Sequence, residues 1–93
     1  PINNEDASYH PKELFVLVNI VNSQGKNLSL GFQHSRLISG EIGSLEIEGE
    51  IITAIRNENG TIRVQDSSGE IIPHYMAMWF SWITHQENEK KVW

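Results

Sequence analysis

Ninety-three residues, 39% of them hydrophobic and 20% charged, are enough for one small core and too few for two domains. The net charge is −5 and the seven Lys and Arg side chains are scattered, so the concentrated basic face that phosphate neutralisation requires is missing and nucleic acid is not an expected partner. Cysteine is absent, which removes disulfides, zinc–thiolate sites, iron–sulfur ligation and thiol nucleophiles and leaves the compartment undetermined; the longest apolar runs, Leu14 to Val18 and Met76 to Phe80, are far too short to span a bilayer, so no membrane association is expected.

The chain opens at Pro1 without an initiator methionine or an apolar signal segment, which reads as a processing or fragment boundary. Residues 1–11, "PINNEDASYHP", follow neither a helical nor a strand period and are expected to form an extended lead-in. "ELFVLVNIV" is β-branched and aromatic on both parities, Leu14, Val16, Val18 and Ile20 against Phe15, Leu17 and Val21, the pattern of a strand covered on both faces. "NSQGKN" supplies a turn, and "LSLGFQ" then alternates Leu28, Leu30 and Phe32 with Ser29, Gly31 and Gln33, predicting a hairpin with one wet face.

"HSRLISGEIG" is less regular. In "SLEIEG", Leu45 and Ile47 alternate with Ser44, Glu46 and Glu48, as in a half-exposed strand. "EIITAIRNENGTIRVQD" is a hairpin pattern in which the Asn59-Gly60 pair suits left-handed backbone, with Ile62 and Val64 inward and Thr61, Arg63 and Gln65 outward. "DSSGE" is a second turn. Residues 13–72 therefore read as a hairpin-rich sheet, and Pro73 sits where a helix can start.

The stretch "PHYMAMWFSW" concentrates the aromatic and sulfur side chains. As a helix over residues 73–86 it gathers Trp82, Tyr75, Trp79, Ile83, Met76 and Phe80 in one sector that Met78 widens to roughly 200° of arc, about twice the stripe one sheet face covers. Three coverings remain open: a curved sheet wrapping the helix with help from Ile2 and Tyr9, a homo-oligomer interface, or an apolar ligand cleft. For a cleft, Tyr75, Trp79 and Trp82 are the candidate wall and His74 the nearest polar group. Residues 87–93 form a charged tail whose Trp93 is expected to dock on its own domain or a neighbour.

No catalytic constellation is recognisable. His74 and His85 are about 16 Å apart on such a helix, too far to share a metal. His74 and Met78 are neighbours at i, i+4, a pair that offers copper a nitrogen and a sulfur but no complete site. Glu41, Glu46, Glu48 and Glu50 read as solubilising groups rather than paired acid–base residues. Serine-nucleophile arrangements lack a positioned acid, no phosphate-binding loop is present, and no metal or cofactor is implied.

From Asp66 onward, over about a third of the chain, "DSSGEIIP", Trp79, Phe80 and Trp82 in "AMWFSW", and "ENEKKVW" ending in Trp93 resemble the C-terminal part of an uncharacterised bacterial family of domain-of-unknown-function proteins. The chain has no counterpart of that family's cysteine-bearing segment and carries "THQE" where the family has His-Pro. The resemblance implies that the Trp-Phe-X-Trp helix is a structural closing element.

The expected fold is α+β: a curved antiparallel sheet or partial barrel of five to six short strands with one C-terminal helix packed on it. The expected function is a binding or interaction module, self-associating as a homo-oligomer through the aromatic helix or a strand edge. The alternative is a small-molecule-binding protein or enzyme with an apolar cleft between helix and sheet.

Overall fold

A computed structural model of the chain describes residues 9–85 and 88–93, and among these described residues there are eight strands and two short helices. The lead-in over residues 1–8, Ile2 included, and the last residue of the helix expected over 73–86 lie outside the described residues. The strands are β1 (Leu14–Val21), β2 (Asn27–Gln33), β3 (Gly43–Ile47), β4 (Glu50–Arg56), β5 (Ile62–Gln65), β6 (Ile71–Ile72), β7 (Tyr75–Met78) and β8 (Glu89–Val92). Helix α1 (His34–Ile38) falls in the stretch that read as irregular, and helix α2 (Trp79–His85) follows β7 directly.

The class is α+β in a single small domain, but the architecture corrects the expectation of one curved sheet or partial barrel of five to six strands. There are two open four-stranded sheets, ordered β7-β1-β2-β8 and β3-β4-β5-β6. The second sheet is antiparallel throughout; the first is antiparallel except where β8 runs parallel to β2.

Local turn chemistry sets the hairpins. Three loops, Asn22 to Lys26, Asn57 to Thr61 and Asp66 to Glu70, share one device: the first residue's N–H donates to the carbonyl of the fifth at 2.7–2.9 Å, and the N–H of the fourth, a glycine, donates to the carbonyl of the first at 3.0 Å. Those glycines have φ between 77° and 90°, the left-handed residue that closes a three-residue hairpin loop. Asn22 and Asp66 add side-chain support, each Oδ1 accepting from the N–H groups two and four residues on at 2.9 Å. Asn59 itself is not left-handed; only Gly60 is. Between β3 and β4 the turn is tighter, with Glu48 at φ 51° and Gly49 at φ 84°, so Glu48 is a turn residue and not the outward strand position its spacing suggested.

Strand β1 is covered on both faces, as its two-parity apolar pattern requires. Val16 and Val18 join Leu28, Leu30 and Phe32 of β2, Leu37 of α1, Ile47 of β3, Ile52 and Ala54 of β4, and Ile62 and Val64 of β5 in a core shared by the two sheets. On the opposite face Phe15 and Leu17 pack with Trp79 and Trp82 of α2, joined by Tyr9, Ala77, Ile83 and Val92. The resulting layers are helix, sheet, sheet.

The face of β2 expected to be wet is covered by this helix. Ser29 is fully buried, and the Trp82 indole N–H donates to its hydroxyl at 2.8 Å. Gly31 lies against the Trp82 ring, and a Cβ there would collide with it.

The predicted helix over 73–86 is replaced in its first part by a strand. Tyr75–Met78 pairs with β1, Leu14 opposite Met78 through Leu17 opposite Tyr75, because β1 otherwise has an unpaired edge beside an apolar tetrad. Helix α2 then begins where Trp79 N–H donates to Glu13 O at 2.8 Å and Phe80 N–H to Pro11 O at 2.9 Å. The tail is likewise a strand, β8, and Trp93 docks on its own domain against Phe32.

Replacing Ser29 with Ala leaves a buried indole N–H without its acceptor, and a loss of about 1–3 kcal/mol is expected in urea unfolding, with the denaturant slope unchanged. Gly31→Ala is expected to lose more, because the Trp82 ring must move out of a packed layer.

Candidate functional site

The four residues nominated from sequence separate into two pairs. Trp79 and Trp82 are 2% and 1% exposed and belong to the interior. Their rings contact one another at 5.7 Å between centroids, and Phe15 lies 5.3 Å from Trp79 and 5.6 Å from Trp82. Tyr9 closes the group edge-on to Phe15 at 5.0 Å and tilted on Trp79 at 4.8 Å. The space between α2 and the sheet is therefore filled by aromatic rings.

His74 and Tyr75 are brought together at the surface, in a shallow cleft of about 250 Å³ lined also by Asn19, Ile72 and Pro73. Asn19 was not nominated, although it is the one polar residue interrupting β1 and shares the parity of Phe15 and Leu17. The extended backbone also undoes the i, i+4 pairing of His74 with Met78, since four residues of strand span about 13 Å. Among the described residues no group of His, Asp and Glu side chains is placed to hold a metal ion.

A second cleft, of about 240 Å³, opens at the ends of the two sheets. Its apolar lining comes from Ile20, Val21, Ile47, Ile52 and Ile72, and its acidic rim from Glu48, Glu50 and Asp66. The rim carboxylates are engaged in the fold. Glu48 accepts from Ser23 N–H at 2.9 Å and Ser23 O–H at 2.5 Å, tying the β1–β2 loop of one sheet to the β3–β4 turn of the other. Ser67 O–H donates to Glu50 at 3.2 Å, and Asp66 is bound by its own turn.

A further feature is an apolar surface along β7. Tyr75, Met76, Met78 and Phe80 are 40%, 45%, 42% and 46% exposed. The β1 register places Met76 beside Val16 and Met78 beside Leu14, on the face that elsewhere packs against the second sheet, while Ala77 and Tyr75 share the α2 face with Phe15 and Leu17. Among the described residues, neither methionine joins the core shared by the two sheets, and both stand exposed on a core-type face.

Edge chemistry sets β7 apart from the other three edge strands. β8 carries Glu89, Lys90 and Lys91, β3 carries Glu46, and β6 is two residues long. Charged side chains and short length are the usual protections of an exposed edge. β7, "YMAM", has four residues and no charge.

Comparison with protein-family models, with curated proteins and with solved structures finds no match. Among the described residues no helix is long and apolar enough to cross a membrane.

The Ser23 hydroxyl, and with it the Ser23 backbone N–H, holds the Glu48 carboxyl below the usual carboxylate range. A group with a depressed folded-state pKa adds stability above its unfolded value, about 4.3 for Glu, and that stability disappears as pH falls through the folded value. Ser23→Ala is accordingly expected to lower the melting temperature at neutral pH, with the gap from the wild-type chain closing as melts are repeated toward acid.

Proposed function

We propose that the protein is a small interaction module that associates with a second copy of itself along β7, the outer strand of its sheet. The observation that carries this reading is the uncharged β7 edge, with Tyr75, Met76, Met78 and Phe80 exposed around it in a domain whose other edges are charged or two residues long. Antiparallel pairing of β7 with its two-fold mate extends one sheet across both copies and sets methionine against methionine. No like charges meet, although each chain carries −5.

Methionine and aromatic side chains are enriched in such interface centres, and the flexible thioether fills an irregular seam. The small-molecule reading has less support. Both clefts fall below the roughly 300–1,000 Å³ of sites that enclose a drug-sized ligand, and the region between α2 and its sheet is packed solid by Trp79 and Trp82.

Sedimentation equilibrium across a wide concentration range tests the proposal. The wild-type chain is expected to show a reversible monomer–dimer equilibrium, and Met76→Lys, which sets like charges across the two-fold, to weaken it by more than about tenfold, or about 1.4 kcal/mol. A wild-type chain that remains monomeric up to hundreds of micromolar, or a Met76→Lys substitution without effect on the equilibrium, overturns it.

A further inference from the structure

The opposite edge of the same sheet is closed by a segment that arrives from far along the chain. β8 lies parallel to β2, Leu28 beside Glu89 through Gly31 beside Val92, and it is the one parallel pairing among the described strands. Val92 and Trp93 anchor it on opposite faces. Val92 packs with Phe15, Leu17, Trp79 and Trp82, and Trp93 packs on the core shared by the two sheets.

Trp93 occupies a built seat. Its N–H donates to Gly31 O at 2.9 Å, its ring lies 6.2 Å from the Phe32 ring, and the Arg36 guanidinium stacks 3.6 Å above it. Arg36 is in turn fixed by Glu41 at 2.9 Å. Gly43 leaves the room: a Cβ there would stand 3.0 Å from the Trp93 ring and 2.7 Å from Phe32. A backbone edge, alternate side-chain seats and an aromatic anchor are the components by which sheets recognise extended peptides.

We infer that the β2 edge, with the seat formed by Phe32, Arg36 and Gly43, is a strand-recognition groove filled in cis by residues 88–93, and that it takes the same segment from a second copy. The occupant follows from the contacts themselves. A second chain carries the one segment shown to fit, and every contact made in cis is available in trans. The segment also suits an acidic partner, with two lysines against one glutamate in a chain of net charge −5. What opposes exchange is the tether, which presents the cis segment at an effective concentration in the millimolar range. Weakening the cis anchor therefore opens the groove to a free segment. This exchange is independent of the β7 association, because β7 and β8 are the two outer strands of the sheet.

The test titrates a fluorophore-labelled synthetic peptide of residues 88–93 against the full-length wild-type chain and full-length Trp93→Ala, reading anisotropy. The Trp93→Ala chain is expected to bind saturably, the wild-type chain about tenfold or more weakly because its own tail competes, and Trp93→Ala combined with Gly43→Ala not at all. A peptide lacking the terminal Trp is expected not to bind either. A Trp93→Ala chain with native circular dichroism that shows no saturable binding, or that binds no better than wild type, overturns the inference. If that variant does not fold, the unlabelled peptide is added at millimolar concentration to the wild-type chain. Amide shifts confined to Gly31, Phe32, Arg36, Gly43 and residues 88–93 support exchange, and their absence overturns it. Met76→Lys run alongside separates the two edges, since it is expected to weaken β7 dimerisation and leave peptide binding unchanged.

Discussion

The indole of Trp82 is the piece around which this fold is arranged. A large ring with a single N–H donor can be buried only where that donor finds an acceptor and where the opposing backbone lets the ring approach. β2 provides both within three residues, the Ser29 hydroxyl at 2.8 Å and the bare Cα of Gly31 under the ring. An unpaired buried donor costs about 1–3 kcal/mol, and removing a buried Trp side chain typically costs about 3–5 kcal/mol. Placement of α2 on the sheet is therefore strongly specified, and with it the positions of β7 before the helix and β8 after it.

That placement turns β1 into an interior strand. One of its faces meets α2 and the other meets the core shared with the second sheet, so four successive residues, Phe15, Val16, Leu17 and Val18, are all at most 1% exposed. The second sheet is joined to the first by side chains of that shared core and by the Ser23–Glu48 contact at its rim. Its outward face carries Ser44, Glu46, Thr53, Arg63 and Gln65 interspersed with Ile51, Ile55 and Ile71, of which Ile51 and Ile71 are exposed.

The two outer strands of the first sheet are handled in opposite ways. β8 brings Glu89, Lys90 and Lys91 to its edge and seats Trp93 beneath Arg36, while β7 brings only Tyr, Met and Ala. Bare backbone edges recruit other strands, and charges on them oppose it. The proposed self-association rests on that asymmetry in edge chemistry.

Much of the local structure was written in residue types. The recurring Asx-x-x-Gly loops, the two-parity apolar run of β1 and the alternation in β2 and β5 each follow from short-range sterics and hydrogen bonding, which act within five or six residues and leave their mark in sequence. The site was less legible. Tyr75, Met76 and Met78 fit the apolar stripe of a helix as well as they fit a strand, and four residues are too few for periodicity to choose. The choice fell to the open edge of β1, whose N–H and C=O groups need partners from a segment about sixty residues away. Likewise "LSLGFQ" has the alternation of a half-exposed strand, and only the arrival of Trp82 shows that Ser29 and Gly31 are an acceptor and a space rather than a wet face. By itself the sequence determined the class, the turns and the aromatic character of the closing helix. The tertiary structure alone decided which face each strand buries, where β7 ends and α2 begins, and which strands lie at the sheet edges, because those depend on pairings between residues that only folding brings together.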